Sequence, residues 1–91
     1  MGSYSKFISI IMDLELIRDE IEKQIVDGLI NNSPRISNLV DDINHLSYDI
    51  GILYSTTDNP TWPAGYYTRL LQIVETAKRL GVFPKELEGL R

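Results

Sequence analysis

The stretch SPRISNLVDDINHLSYDIGILYS, residues 33–55, decides the fold. Within it Ile36, Leu39, Ile43, Leu46, Ile50 and Leu53 recur at alternating spacings of three and four. On a helix of 3.6 residues per turn, that spacing lines the six side chains into one apolar seam, which must lie along another helix to leave water. The start of the segment is equally clear. Ser33 is an N-cap residue, whose hydroxyl accepts from an N–H that the helix start leaves unpaired. Pro34 suits the first helical position, where no N–H is needed. The pattern predicts a helix over about 34–55.

Upstream, Phe7, Ile10, Leu14, Ile17, Ile21, Ile25 and Gly28 follow the same period, and Ile11, Leu16, Val26 and Leu29 widen the stripe. This predicts a first helix over about 5–30. Its other face carries Asp13, Arg18, Asp19, Glu20, Glu22, Lys23 and Asp27. Exposed helical pairs such as Arg18 and Glu22 contribute only ~0.3 kcal/mol, so this is a solvated face. The connection through Asn31 and Asn32 is too short for anything but an antiparallel return.

Downstream, the polar run from Ser55 to Thr61 ends the second helix. A third is predicted over about 63–80, with Tyr66, Leu70, Ile73 or Val74, Ala77 and Leu80 on its buried stripe. Gly81 is the expected left-handed residue beyond its end, Lys78 and Arg79 complement the dipole there, and Val82 should fold back on the last turn. Residues 84–88 read as one more short helical turn. The fold expected is therefore all-α: a single domain over 1–91, an antiparallel three-helix bundle (up-down-up) with a short C-terminal turn. The second-helix seam is cleaner than a monomeric core requires, and the first helix is broader in apolar coverage than one neighbour can bury. A homodimer follows as the expected assembly, with paired hairpins making a four-helix core around Ile36, Leu39, Ile43, Leu46, Ile50 and Leu53.

Composition narrows the function classes. At 91 residues, 43% hydrophobic and 24% charged, the chain suits one globular domain with little surplus stability. It has no cysteine, which removes disulfides and thiolate metal sites and fits a cytoplasmic setting. The apolar run from Phe7 to Met12 is too short for a signal-peptide core or a membrane span. Residues 1–62 carry ten acids and four bases, a charge of −6, whereas residues 63–91 carry three acids and five bases, a charge of +2. The net charge of −4 disfavours the phosphate neutralisation on which nucleic-acid affinity depends. A nucleic-acid surface would have only Arg69, Lys78, Arg79 and Lys85 to draw on.

Three groups of residues bear on chemistry. Asp19 and Glu22 lie three apart on the first helix, and Asp41 and Asp42 lie on the second, so a hairpin could gather hard oxygen ligands around a divalent cation. Asp19-Glu20-Ile21-Glu22 followed by Asp41-Asp42-Ile43-Asn44 resembles the MazG-like nucleotide pyrophosphohydrolases. Their signature is Glu-x-x-Glu and then, after a variable gap, Glu-x-x-Asp. The resemblance covers about a third of the chain and implies Asp19, Glu22 and Asp41 as metal ligands. It departs from the family in the shortened acids at Asp19 and Asp41 and in Asn44, an amide where the fourth ligand is an acid. His45, flanked by Asp41 and Asp49 four residues either way, is the one histidine and reads as an ordinary exposed side chain. No serine sits in a local motif that would activate it as a nucleophile.

The third group is Trp62-Pro63-Ala64-Gly65-Tyr66-Tyr67, with Arg69 alongside. Rigid aromatic area beside a cation is the composition enriched at interface hot spots, so Trp62, Tyr66, Tyr67 and Arg69 are expected either to bind a partner or to seal the bundle end. On the outer face of the second helix, Asp41, His45, Tyr48 and Ile52 align opposite the seam. Tyr48 and Ile52 are buried if that helix is central and exposed to a partner if it is peripheral. The function expected is a non-enzymatic protein-protein interaction module without a cofactor: a regulator, adaptor, inhibitor or immunity-type protein. The alternative is the degenerate metal-dependent hydrolase.

Overall fold

A computed structural model of the chain describes residues 2–56 and 64–88, with side chains described for 8–55 and 65–88. The elements are α1 (Gly2–Val26), α2 (Pro34–Thr56), α3 (Ala64–Leu80) and a short α4 (Lys85–Glu88). The all-helical architecture expected from the periodicity is present. Trp62 and Pro63 lie outside the described residues.

Helix ends are set where the capping chemistry dictates. The Ser33 hydroxyl accepts from the Ile36 N–H at 3.4 Å, and the Ser33 carbonyl accepts from the Ser37 N–H at 2.9 Å, so α2 begins at Pro34. At the end of α3, Gly81 has φ +77°, the Gly81 N–H donates to the Lys78 carbonyl at 3.2 Å, and the Val82 N–H donates to the Ala77 carbonyl at 2.9 Å. Those two bonds form the Schellman pair, and Val82 and Ala77, both buried, supply its apolar contact.

The same motif corrects the expected end of the first helix. Gly28, read as a member of the apolar stripe, has φ +78° and is the left-handed residue beyond the helix. The Gly28 N–H bonds the Ile25 carbonyl at 3.1 Å and the Leu29 N–H bonds the Gln24 carbonyl at 2.9 Å, so α1 stops at Val26 rather than near residue 30. Val26 and Leu29, expected to widen the stripe, are exposed.

The long-range polar contacts fix the directions of the helices. Arg18 on α1 donates to the Asn44 side-chain oxygen on α2 at 2.9 Å, and Arg69, early in α3, donates to Asp49, late in α2, at 2.7 Å. Gln24, near the end of α1, donates to the Gly81 carbonyl beyond the end of α3 at 3.0 Å and to Glu20 at 2.8 Å. Hence α1 and α3 run together and α2 runs against both, the up-down-up order. α2 is central: α1 and α3 each lie along it and only slightly along one another.

The core follows from that placement. Ile10, Leu14, Ile17 and Ile21 of α1 meet Ile36, Leu39, Ile43, Leu46 and Ile50 of α2, and Ile73 and Ala77 of α3 close the other side. Val82 and Leu87 fold in from the C-terminal segment. The seam expected to join two chains is thus enclosed within one: five of its six residues are buried, and Leu53 is half-buried against the same cluster. A second copy has no access to it in this arrangement.

Candidate functional site

Each of the outer helices carries apolar residues beyond the row that meets α2. On α1 the second stripe is Ile8, Met12 and Leu16, at steps of four. On α3 it is Leu71 and Val74, with Tyr67 one turn earlier on the same helical face. The α1 stripe borders a cavity closed by Glu86 and Leu87 of α4, and Leu71 and Val74 border a second cavity, between α3 and the Asp13 and Ile17 positions of α1, in which Leu87 is the buried residue. The two cavities, of about 450 and 230 Å³, share Asp13 and Leu87 as lining residues.

The first cavity is bounded by Ile8, Ser9, Met12 and Leu16 of α1 and Glu86 of α4, the second by Ile17, Leu70, Leu71, Val74, Lys78 and Phe83. Its apolar rim is open to solvent: Leu71 is 60% exposed, Met12 57% and Ile8 47%. The charged groups on the rim are the Asp13 and Glu86 carboxylates and the Lys78 ammonium, which lies over the Phe83 ring at 5.0 Å from its centroid. An arrangement of apolar walls, one polar edge and no buried charge can hold another apolar side-chain row. Among the described residues no polar or charged side chain is buried, so no reacting group is held away from water.

The residues singled out from the sequence fall elsewhere. Tyr66 is half-buried against the core, and the Arg69 guanidinium lies 5.6 Å from its ring centroid while bonding Asp49. These two side chains, expected either to meet a partner or to seal the bundle end, tie α3 to α2. Tyr67 stands at the edge of exposure, and Trp62 lies outside the described residues. On α2, Tyr48 is 68% exposed and Ile52 also faces outward, although the helix is central. Centrality buries the seam face of α2 and leaves the opposite face exposed, so the expectation that a central α2 buries Tyr48 and Ile52 does not hold.

Asp19, Glu22 and Asp41 are all exposed, and Asn44 accepts from Arg18. Among the described residues no three histidine, aspartate or glutamate side chains gather closely enough to hold a metal ion. His45 is exposed, and its neighbour Asp49 is engaged by Arg69. Of the four bases available to nucleic acid, Arg69 is held by Asp49 and Lys78 by Phe83. Arg79 lines a separate polar cavity with Arg35, Asn38, Thr76 and Leu80. No described helix is long and apolar enough to cross a membrane.

Ile8, Met12 and Leu71 were not singled out from the sequence. The signal that finds them is the width of the apolar arc: a helix with two stripes and one neighbour leaves one stripe over. No family model matches the chain, and no curated protein or solved structure matches it significantly.

Proposed function

We propose that the chain is a non-enzymatic protein-protein interaction module, a small regulator, adaptor, inhibitor or immunity-type protein working by occupancy of its α1/α3 face. The observation that carries this reading is that the core is complete within one chain while large apolar side chains, Ile8 and Met12 in a row on α1 and Leu71 on α3, stay exposed at the edges of two cavities. Scattered apolar residues on a surface are ordinary, but a row bordering a groove marks a binding face. Because the α2 seam is enclosed, a homodimer would have to use another surface, and a second copy is one competing occupant of the α1/α3 face.

Leu71→Glu tests the reading. Leu71 is 60% exposed, so the charge is solvated at the surface and the variant should melt within a few degrees of the parent. It should fail, however, to capture the partner that the parent retains from native lysate. Equal capture by both proteins overturns the proposal, as does magnesium- or manganese-dependent turnover of a nucleoside triphosphate that Glu22→Gln and Asp41→Asn each abolish.

A further inference from the structure

We infer that the polar cavity between the start of α2 and the end of α3 binds the phosphate group of a small phosphomonoester, with Arg35 and Arg79 as its anion ligands. This site lies apart from the apolar α1/α3 face and does not rest on the interaction reading. The cavity, of about 460 Å³, is bounded by Arg35 and Asn38 of α2 and by Thr76, Arg79 and Leu80 of α3. Two guanidinium groups, an amide and a hydroxyl can all donate hydrogen bonds there, and no carboxylate stands among them.

Folding does not account for both arginines. Arg79, in the last turn of α3, suits the negative end of that helix dipole. Arg35 is the second residue of α2, at the positive end, where a cation is unfavourable and no acid shares the first turn. Glu75, one turn before Arg79, and Asp41 and Asp42, one turn beyond Asn38, bound no part of the cavity. Among the described residues neither Arg35 nor Arg79 makes an ion pair or a side-chain hydrogen bond, whereas Arg18 and Arg69 each tie two helices together. Two uncompensated cations facing one concave surface raise the local potential for an anion. The helix end itself is already capped, since the Ser33 hydroxyl accepts from the Ile36 N–H. Beneath the site the backbone is held by Ile36, Leu39 and Ala77, all buried.

The donor set selects the ligand. A phosphomonoester carries a charge of about −1.5 to −2 at pH 7 and three terminal oxygens, enough to engage two guanidinium forks and still accept from Asn38 and Thr76. A carboxylate has a single charge and two oxygens, and would leave one arginine unmatched. The cavity is larger than a phosphate ion and falls in the size range of small-molecule sites, leaving room for an organic remainder beside the half-buried Leu80.

The test titrates the full chain, isotope-labelled for NMR, with phenyl phosphate, benzoate and a phosphoserine peptide at constant ionic strength, and reads amide and guanidinium N–H shifts. Phenyl phosphate should saturate with a Kd of about 1 mM or tighter, with shifts gathered at residues 35–38 and 76–80. Benzoate should bind about tenfold more weakly. Arg35 and Arg79 are exposed, so Arg35→Gln and Arg79→Gln should keep the helical circular dichroism signal while each weakens phenyl phosphate about tenfold. Arg35→Lys and Arg79→Lys, which keep the charge and lose the fork, should recover only part of that loss. Leu71→Glu should leave the titration unchanged, so the site stands or falls independently of the α1/α3 face. Failure of phenyl phosphate to saturate, benzoate binding as tightly, or glutamine variants that bind like the parent overturns the inference. A phosphoserine peptide that binds far more tightly than phenyl phosphate overturns the small-molecule assignment and gives the site to a phosphorylated protein.

Discussion

The seam face of α2 and the groove face of α1 and α3 are built from the same residue types at the same helical spacings, yet Ile43 and Leu46 are fully enclosed while Leu71 is 60% exposed. Propensity and hydropathy do not separate them. Connectivity does: the short link through Asn31 to Ser33 forces α2 back along α1, and α3 then returns along α2, so the middle helix has two neighbours for one seam. The outer helices each have one closely packed helical neighbour, α2, and carry more apolar surface than it covers. An apolar stripe states that it needs cover; the order of the helices decides whether the chain itself supplies it.

The sharpest way to break this comparison is to place the same charge on both faces. Ile43→Asp puts a carboxylate among enclosed aliphatic side chains with no partner, a cost of several kcal/mol in a domain whose total stability is about 5–15 kcal/mol. Loss of the helical circular dichroism signal at 25 °C is expected, with no folded monomer as intermediate. Leu71→Glu, at the rim, should change stability by about 0.5 kcal/mol or less. If the two variants melt alike, the two faces do not differ in burial.

Much of this architecture was legible because the decisive signals are local. The step of three and four from Ile36 to Leu53, the Ser33-Pro34 start, and Gly81 followed by Val82 each specify backbone geometry within a turn or two, and each is realised. Gly28 carries the same stop signal as Gly81 but lies in phase with the apolar stripe, so periodicity masks its capping role. The groove was illegible for a different reason. Whether Met12 and Leu71 are covered depends on how closely α1 approaches α3, a relation between segments nearly sixty positions apart in the chain. The Arg69 contact was hidden likewise: next to Tyr66 and Tyr67 it resembles a binding hot spot, and only the register of α2 against α3 brings Asp49 within 2.7 Å of it.

The two left-handed glycines offer a smaller effect that separates the ends of the two outer helices. Neither Gly28 nor Gly81 has a neighbour within 4 Å of where a Cβ would sit, so Gly→Ala at either position costs only the backbone conformation, about 1–2 kcal/mol. The environments beyond them differ, since Val82 is buried after Gly81 and Leu29 is exposed after Gly28. Gly81→Ala should therefore also loosen α4 and the groove floor at Leu87, and Gly28→Ala should not. Amide hydrogen exchange over residues 82–88 checks the difference, with faster exchange expected in Gly81→Ala alone. Equal protection in both variants would mean that the floor is held independently of the turn.

The smallest effect concerns the polar ties that flank α2. The Arg69 and Asp49 side chains are 36% and 40% exposed, so water screens their attraction, and a coupling of about 0.2–1 kcal/mol is expected from a double-mutant cycle of Arg69→Gln and Asp49→Asn. In a domain this size that corresponds to a melting shift of about 1–6 °C, and 1 M salt should remove most of it. Arg18 and Asn44 make the matching tie to α1, but Asn44 is neutral, so the coupling in an Arg18→Gln and Asn44→Ala cycle should survive the same salt far better. Both ties lie beside the enclosed seam, away from the groove, and neither cycle should alter occupancy of the α1/α3 face. A change in groove binding on removing Arg69 would mean that the α2–α3 register sets the width of the groove, and the two faces would then be one mechanical unit instead of an interior and an independent surface.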